Sequence, residues 1–123
     1  MNVWLVVAAL NGALAVAAGA FGAHALQGRI DAHAVQVFET GARYHMYHAL
    51  AIGLAAFAIR GTSASAAQAA AIFFLAGIVL FSGSLYGLAL TGIRTLGIIT
   101  PFGGLAFLVG WAVLAYAATK IAA

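Results

Sequence analysis

Four long apolar segments restrict the folds open to this chain more than any other feature of its sequence. A helix needs about 20 apolar residues to cross the hydrocarbon core of a bilayer. Residues 3–23 meet this length, with Asn11 as the one polar interruption. Over the whole chain 66% of residues are hydrophobic and 6% are charged, against about 25% charged in soluble proteins. We therefore predict an integral membrane protein.

The other three apolar segments predict spans at about residues 44–59, 66–90 and 98–119. A tight polar turn at residues 60–63 would return the third span antiparallel to the second. Pro101 is expected in the first turn of the fourth span, where a missing backbone N–H costs little. The predicted fold is a single all-α domain, a four-transmembrane-helix bundle over residues 1–123.

A more polar segment, residues 24–43, joins the first two predicted spans. Asp31 can cap a helix that begins at Ala32. Apolar residues follow at helical spacing, namely Ala34, Val35, Phe38 and Ala42. We predict a short amphipathic helix over about residues 32–42 that lies on the membrane surface and bends near Gly41.

Small residues recur at helical spacing along the spans and would let helix backbones approach closely. In the first span they are Ala8, Gly12, Ala15, Gly19 and Gly22. In the third they are Gly77, Ser84 and Thr91, and in the fourth Gly103, Gly110 and Ala117. Asn11 lies beside the first of these seams, so we expect it to find a hydrogen-bond partner on another helix. Tyr86 and Trp111 lie deep in their spans and are expected to pack between helices or to shape a cavity.

The charged residues exclude some partners but do not orient the chain. The net charge of +3 comes from five scattered Lys and Arg residues, without the clustered patch of a nucleic-acid-binding protein. The sequence has no cysteine, which removes disulfides and thiolate metal ligands. The basic residues divide almost evenly between the two predicted membrane faces, so the positive-inside rule does not select an orientation.

Four motifs occur in a characteristic order along the chain. They are Gly19-Ala-Phe-Gly-Ala-His24, Thr40-Gly-Ala-Arg-Tyr-His-Met-Tyr-His-Ala-Leu50, Leu80-Phe-Ser-Gly-Ser-Leu-Tyr86, and Ile99-Thr-Pro-Phe-Gly-Gly104 with Gly110-Trp111. On these motifs nearly the whole chain resembles the small bacterial membrane proteins of domain-of-unknown-function family 423, whose mitochondrial relatives resemble transmembrane protein 256. The resemblance implies a multi-pass, four-span protein of the bacterial inner membrane with no established activity. In that family the position of His45 is often glutamine, whereas His24 and His48 match the family pattern.

Six polar side chains form the candidate site. They are His24, Glu39, Tyr44, His45, His48 and Arg94. His45 and His48 are three residues apart and share a helix face, and His24 is expected at the same membrane surface. We expect His48 with His24 to form the centre of this cluster, and Arg94 to reach a lipid headgroup or the Glu39 carboxylate. The cluster would stabilise the helix ends, with a small bound ligand as an additional role.

Three functional hypotheses follow from this cluster. The first is an accessory or structural membrane protein that binds a lipid-like ligand, with membrane lipids and a further copy or another membrane protein as partners. The second is a small transporter or proton-conducting homo-oligomer, because four short spans rarely enclose a pore alone. The third is a metal or haem protein, since imidazole suits zinc, copper or iron; its ligands would be His24, His45 and His48. The histidine spacing matches no known metal motif, so no cofactor is expected, and no acid–base pair suggests an enzyme.

Overall fold

The structure is a computed structural model that describes residues 1–60 and 64–121. The described residues form helices α1 (Val3–His24), α2 (Ala32–Ala58), α3 (Ala64–Gly77), α4 (Gly83–Thr91) and α5 (Leu96–Ala118), with a π-helical turn at Ile78–Ser82. The π-helical turn joins α3 to α4, so the helices make four rods. Three rods are long and apolar enough to cross a membrane: α1, Ala64–Thr91 and α5. The structure confirms the predicted all-α class, with three helices able to span a membrane. Residues 61–63 of the predicted turn lie outside the described residues.

Helix α1 packs mainly on α2. It begins after Asn2, whose side chain accepts a hydrogen bond from the Leu5 N–H at 3.0 Å. Its buried residues recur every seven positions, at Ala8, Ala15 and Gly22. A Cβ added at Gly12 or Gly19 would meet nothing within 4 Å. The predicted seam therefore packs closely at only some of its small residues, because Ala8, Ala15 and Gly22 are buried whereas Gly12 and Gly19 keep free space beside them.

Helix α2 lies at the centre of the fold, with α1 on one side and α3 and α4 on the other. Asp31 caps it as predicted, accepting a hydrogen bond from the Ala34 N–H at 2.8 Å. The helix then continues unbroken to Ala58, so the predicted surface helix and second span form one helix without an end at Gly41. A Cβ at Gly41 would lie 3.0 Å from the Tyr86 ring. The absence of a side chain at Gly41 therefore lets α4 pack closely against α2. This packing offsets the roughly 1 kcal/mol of stability that a glycine costs within a helix.

The π-helical turn interrupts the α3–α4 rod without ending it. Its Ile78 carbonyl accepts a hydrogen bond from the Gly83 N–H, five residues ahead. Such turns usually occur as single insertions in α-helices and are frequent at functional sites. Here the turn ends at Ser82, which is fully buried and donates a hydrogen bond to the Gly41 carbonyl on α2 at 2.7 Å.

Helix α5 starts earlier than predicted, at Leu96, so Pro101 lies inside the helix and not in its first turn. The earlier start follows from hydrogen-bonded turns that precede it, including the bond from the Gly97 N–H to the Arg94 carbonyl. Because proline lacks an N–H, the Gly97 carbonyl receives no helical bond from Pro101. Helix α4 ends at Thr91, and the next residue, Gly92, adopts φ +73°.

The small-residue seam predicted on α5 is confirmed, since Gly103, Gly110 and Ala117 are all buried. A Cβ added at Gly103 would lie 2.3 Å from the backbone nitrogen of Phe81, and one at Gly110 would lie 2.7 Å from the Phe74 ring. These glycines set how closely α5 approaches the rod formed by α3, the π-helical turn and α4.

Candidate functional site

His45 lies at the middle of α2, thirteen residues from each helix end, and is 6% exposed. Its two ring nitrogens reach different helices. Nε2 lies 3.0 Å from Asn11 Oδ1 on α1, and Nδ1 lies 2.9 Å from the Tyr86 hydroxyl on α4. The interhelical partner expected for Asn11 is thus confirmed. His45 links three helices from a position well inside the bundle.

The hydrogen-bond chemistry fixes the direction of this network. Asn11 Nδ2 donates to the Val7 carbonyl at 3.0 Å, so Oδ1 is the atom that faces His45. That oxygen accepts only, and His45 therefore carries its proton on Nε2 and accepts the Tyr86 hydroxyl proton at Nδ1. The series of donors ends on the Val7 carbonyl, which has no proton to pass on. The arrangement holds helices in register and is unsuited to relaying protons.

His48 is held as the other tautomer. Its Nδ1 donates to the Tyr44 carbonyl at 2.7 Å, and its Nε2 accepts a hydrogen bond from Trp111 Nε1 at 3.1 Å. The ring also stacks on Phe107, with centroids 3.5 Å apart and planes 7° apart. His48 consequently joins α2 to α5 through both a hydrogen bond and a ring stack.

The buried hydroxyls complete the polar interior. Ser84 donates to the Phe81 carbonyl at 2.9 Å and lies 2.6 Å from the Thr100 hydroxyl, which is then the donor between the two. Together with the Ser82 bond to Gly41, these contacts bear out the usual behaviour of hydroxyls in membrane helices. Among the described residues, each buried side-chain nitrogen or oxygen atom has a hydrogen-bond partner.

Tyr44 stays beside His48, with ring centroids 6.2 Å apart, whereas the structure separates His24, Glu39 and Arg94 from both histidines. His24 is the exposed last residue of α1, and Glu39 is half-buried on α2. Arg94 is exposed and lines a crevice of about 370 Å³ together with Asp31 and His33. The expected His24–His48 centre does not form, because both ring nitrogens of His48 are bonded elsewhere.

The three imidazoles of His24, His45 and His48 do not converge. Within residues 1–60 and 64–121, no group of three His, Cys, Asp or Glu side chains is placed to hold a metal ion. All four ring nitrogens of His45 and His48 are engaged by hydrogen bonds within the protein. Metal or haem ligation by either residue would require breaking a bond between helices or the bond from His48 to Tyr44.

An open cleft of about 440 Å³ lies beside His48, between α2, the π-helical turn and α5. We call it the aromatic cleft, and its walls include Tyr44, Tyr47, Phe81, Gly104, Phe107 and Trp111. Tyr44 packs against Phe81 at 4.9 Å and edge-on against Tyr47 at 5.5 Å between centroids. Trp111 lines this cleft and is 41% exposed, which is the second of the two placements expected for it. Sequence reasoning did not find the cleft itself, because its walls come from three distant segments.

A second groove, of about 470 Å³, lies between α1 and α2. Its lining is aliphatic apart from Phe57 and includes Gly12 and Gly53. The two concavities are similar in volume but differ in chemistry, since only the aromatic cleft contains hydroxyl groups, an imidazole and an indole.

Comparisons with known proteins place the chain among membrane proteins. The model of the family described as "Protein of unknown function (DUF423)" matches residues 18–104. The UPF0382 membrane protein YwdK of Bacillus subtilis is 48% identical over 121 residues, which cover 98% of each chain. The UPF0382 membrane protein SAB0533 of Staphylococcus aureus is 47% identical over 122 residues, 99% of each chain. No solved structure matches.

Proposed function

Since the chain belongs to the DUF423 family of proteins of unknown function, we propose that this integral membrane protein is a four-span bundle with an accessory or structural role. We further propose that it holds a lipid-like small ligand in the aromatic cleft. The observation that carries the ligand proposal is the cleft itself, an open concavity of about 440 Å³ in which six of the eight lining residues have aromatic rings. Membrane lipids surround the helices and supply ligands of this kind.

The packing of helix α2 favours its crossing the membrane as the fourth span. Its second half contributes the fully buried residues Ala51, Ile52 and Ala55 to the core shared with the other helices. Counting about 30 Å back from Ala58 at about 1.5 Å per residue reaches roughly residue 39. The first two turns of α2 would then stand above the hydrocarbon as an upright extension. Arg43 lies about one turn inside that boundary, from where its long side chain can reach the headgroups.

Reporter fusions test the number of spans. A reporter joined before Met1 and one joined after Lys120 should report the same side of the membrane, because four spans return the chain to its starting side. Opposite sides for the two reporters would show three spans and would refute the crossing of α2. A reporter inserted beside Gly28, in the loop before α2, should report the other side.

A substitution that fills the aromatic cleft tests whether a lipid-like ligand binds there. A Cβ at Gly104 would lie 3.9 Å from its nearest neighbour, Phe81 Cδ2, so Gly104→Leu can fill the cleft without forcing the helices apart. Gly12→Leu is the matched control, because Gly12 lines the other groove and also has free space. Lipids extracted from protein purified in mild detergent should include a species retained by the native protein and the Gly12 variant and lost from the Gly104 variant. Equal lipid content in all three would contradict the proposal.

The other two hypotheses have less support. Proton conduction would need a path through the bundle or between several copies, and the Tyr86–His45–Asn11 network ends at a backbone carbonyl. Metal or haem binding would need imidazole nitrogens that already hold helices together. A structural bundle with a lipid-like ligand requires neither change.

A further inference from the structure

Resting on the proposed function, we propose that the ligand of the aromatic cleft is a lipid-soluble quinone, an uncharged flat ring with carbonyl oxygens on a long apolar tail. Three properties of the cleft lead to this class of ligand: its lack of charge, the aromatic character of its walls and the donors that it leaves free.

The lining favours an uncharged head group. It consists of tyrosine, histidine, phenylalanine, glycine, leucine and tryptophan, without a lysine, arginine, aspartate or glutamate. A phosphate group placed there would lose water without gaining a cationic partner, at a high cost in free energy. Arg94, which would suit a phosphate, lines the separate crevice beside Asp31. Phospholipid headgroups therefore fit this cleft poorly.

The aromatic walls favour a flat, electron-poor ring. Aromatic rings carry negative charge on their faces and associate in offset or edge-on arrangements with centroids about 4.5–7 Å apart. The two carbonyls of a quinone withdraw electrons from its ring, so it is attracted to the faces of tyrosine and tryptophan. Gly104 leaves room beside these walls, and about 440 Å³ lies within the usual range of ligand pockets, about 300–1,000 Å³.

Among the residues that the structure describes, the Tyr44 and Tyr47 hydroxyls are the donors of the lining that make no hydrogen bond within the protein. The Trp111 N–H is bonded to His48, and the His48 N–H is bonded to the Tyr44 carbonyl. The hydroxyls of Tyr44 and Tyr47 are left to donate to a ligand, and quinone carbonyls accept such bonds. Tyr44, Tyr47 and Trp111 are 38%, 49% and 41% exposed, so a ring can enter sideways from the bilayer while its tail stays among the lipids.

Fluorescence of Trp111 tests the inference, because the chain has only one other tryptophan, Trp4, which lies on α1 outside the cleft. A naphthoquinone with a short isoprenoid side chain is titrated into protein in lipid nanodiscs. With Trp4→Phe, which leaves Trp111, quenching should saturate. With Trp111→Phe, which leaves Trp4, quenching should rise in proportion to the quinone in the bilayer. An isoprenoid alcohol of the same tail length should not displace the quinone.

Variants of the cleft define its contacts. Gly104→Leu should abolish the saturable quenching, Gly104→Ala should weaken it, and Gly12→Leu should leave it unchanged, with circular dichroism verifying that each variant is folded. The combined change Tyr44→Phe and Tyr47→Phe should weaken binding by about 10-fold or more, because it removes both hydroxyl donors.

The outcomes separate the two proposals. Quenching that saturates equally for Trp4 and Trp111, or that never saturates, overturns the quinone inference. If lipid retention still depends on Gly104 in that case, the ligand-binding function stands with a ligand of another class. If neither quinone quenching nor lipid retention depends on Gly104, both proposals fail.

Discussion

Replacing His45 by leucine would remove the residue that joins α1, α2 and α4. Two half-buried polar groups, Asn11 Oδ1 and the Tyr86 hydroxyl, would lose their partner. A hydrogen bond between membrane helices contributes about 0.6 kcal/mol on average and up to about 1.7 kcal/mol. Losing two of them should lower the free energy of unfolding by about 1–3 kcal/mol.

Glutamine at the same position is the matched control. Its amide oxygen can accept a hydrogen bond from Tyr86, and its amide N–H can donate one to Asn11. Glutamine can therefore replace both the acceptor and the donor of the neutral His45 ring. We expect His45→Gln to stay within about 0.5 kcal/mol of the native protein, less than the average contribution of one membrane hydrogen bond.

A third variant makes the test sharper. Tyr86→Phe should destabilise the native protein by about 0.6–1.7 kcal/mol, because it leaves His45 Nδ1 without a donor. In the His45→Leu background the same change should be neutral or stabilising, since the hydroxyl has already lost its acceptor. Reversible unfolding in mixed micelles, followed by circular dichroism as the denaturing detergent is increased, measures each value. Equal costs of Tyr86→Phe in both backgrounds would refute the network, and so would equal stability of the leucine and glutamine variants.

Three further predictions use the same unfolding measurement. His48→Ala should cost about 3 kcal/mol, more than His45→Gln, because it removes a stacked ring and the acceptor for Trp111; the reverse order would show that His48 contributes little to packing. Ser82→Ala should cost about 1 kcal/mol through loss of the bond to the Gly41 carbonyl, and an unchanged midpoint would contradict that bond. Gly103→Ala should cost about 3 kcal/mol because its methyl group meets the backbone of the π-helical turn, whereas Gly12→Ala should be neutral or stabilising by up to about 1 kcal/mol. Similar effects at the two glycines would contradict the close approach of α5.

Local sequence features predicted the helices well. Apolar length placed the third span at about 66–90, and the rod occupies Ala64–Thr91. The cap at Asp31 also follows from its own neighbours in sequence. Gly41 and Pro101 both weaken an isolated helix, yet a helix continues through each of them, because other packing or preceding turns extend it.

The hydrogen-bond partners of the histidines could not be predicted from sequence spacing, because they lie on other helices, far away in sequence. His45 and Asn11 are 34 residues apart, and His48 and Trp111 are 63 apart. One signal did point to the network: Asn11 is the lone polar residue of its span and needs a partner. Pairing it with a polar residue of the next helix would have favoured His45 over His24. The aromatic cleft offered no comparable signal.

The π-helical turn also lets the chain change length at one place in the rod. A π-helical turn holds one residue more than the α-helical turn that it replaces. Deleting one residue from 78–81 should therefore leave an α-helical turn of nearly the same rotation, and Tyr86 should keep its place beside His45. The same deletion within α3 would turn everything that follows by about 100° and carry Tyr86 away from His45. Related sequences that differ in length along this rod should carry their gap at the π-helical turn.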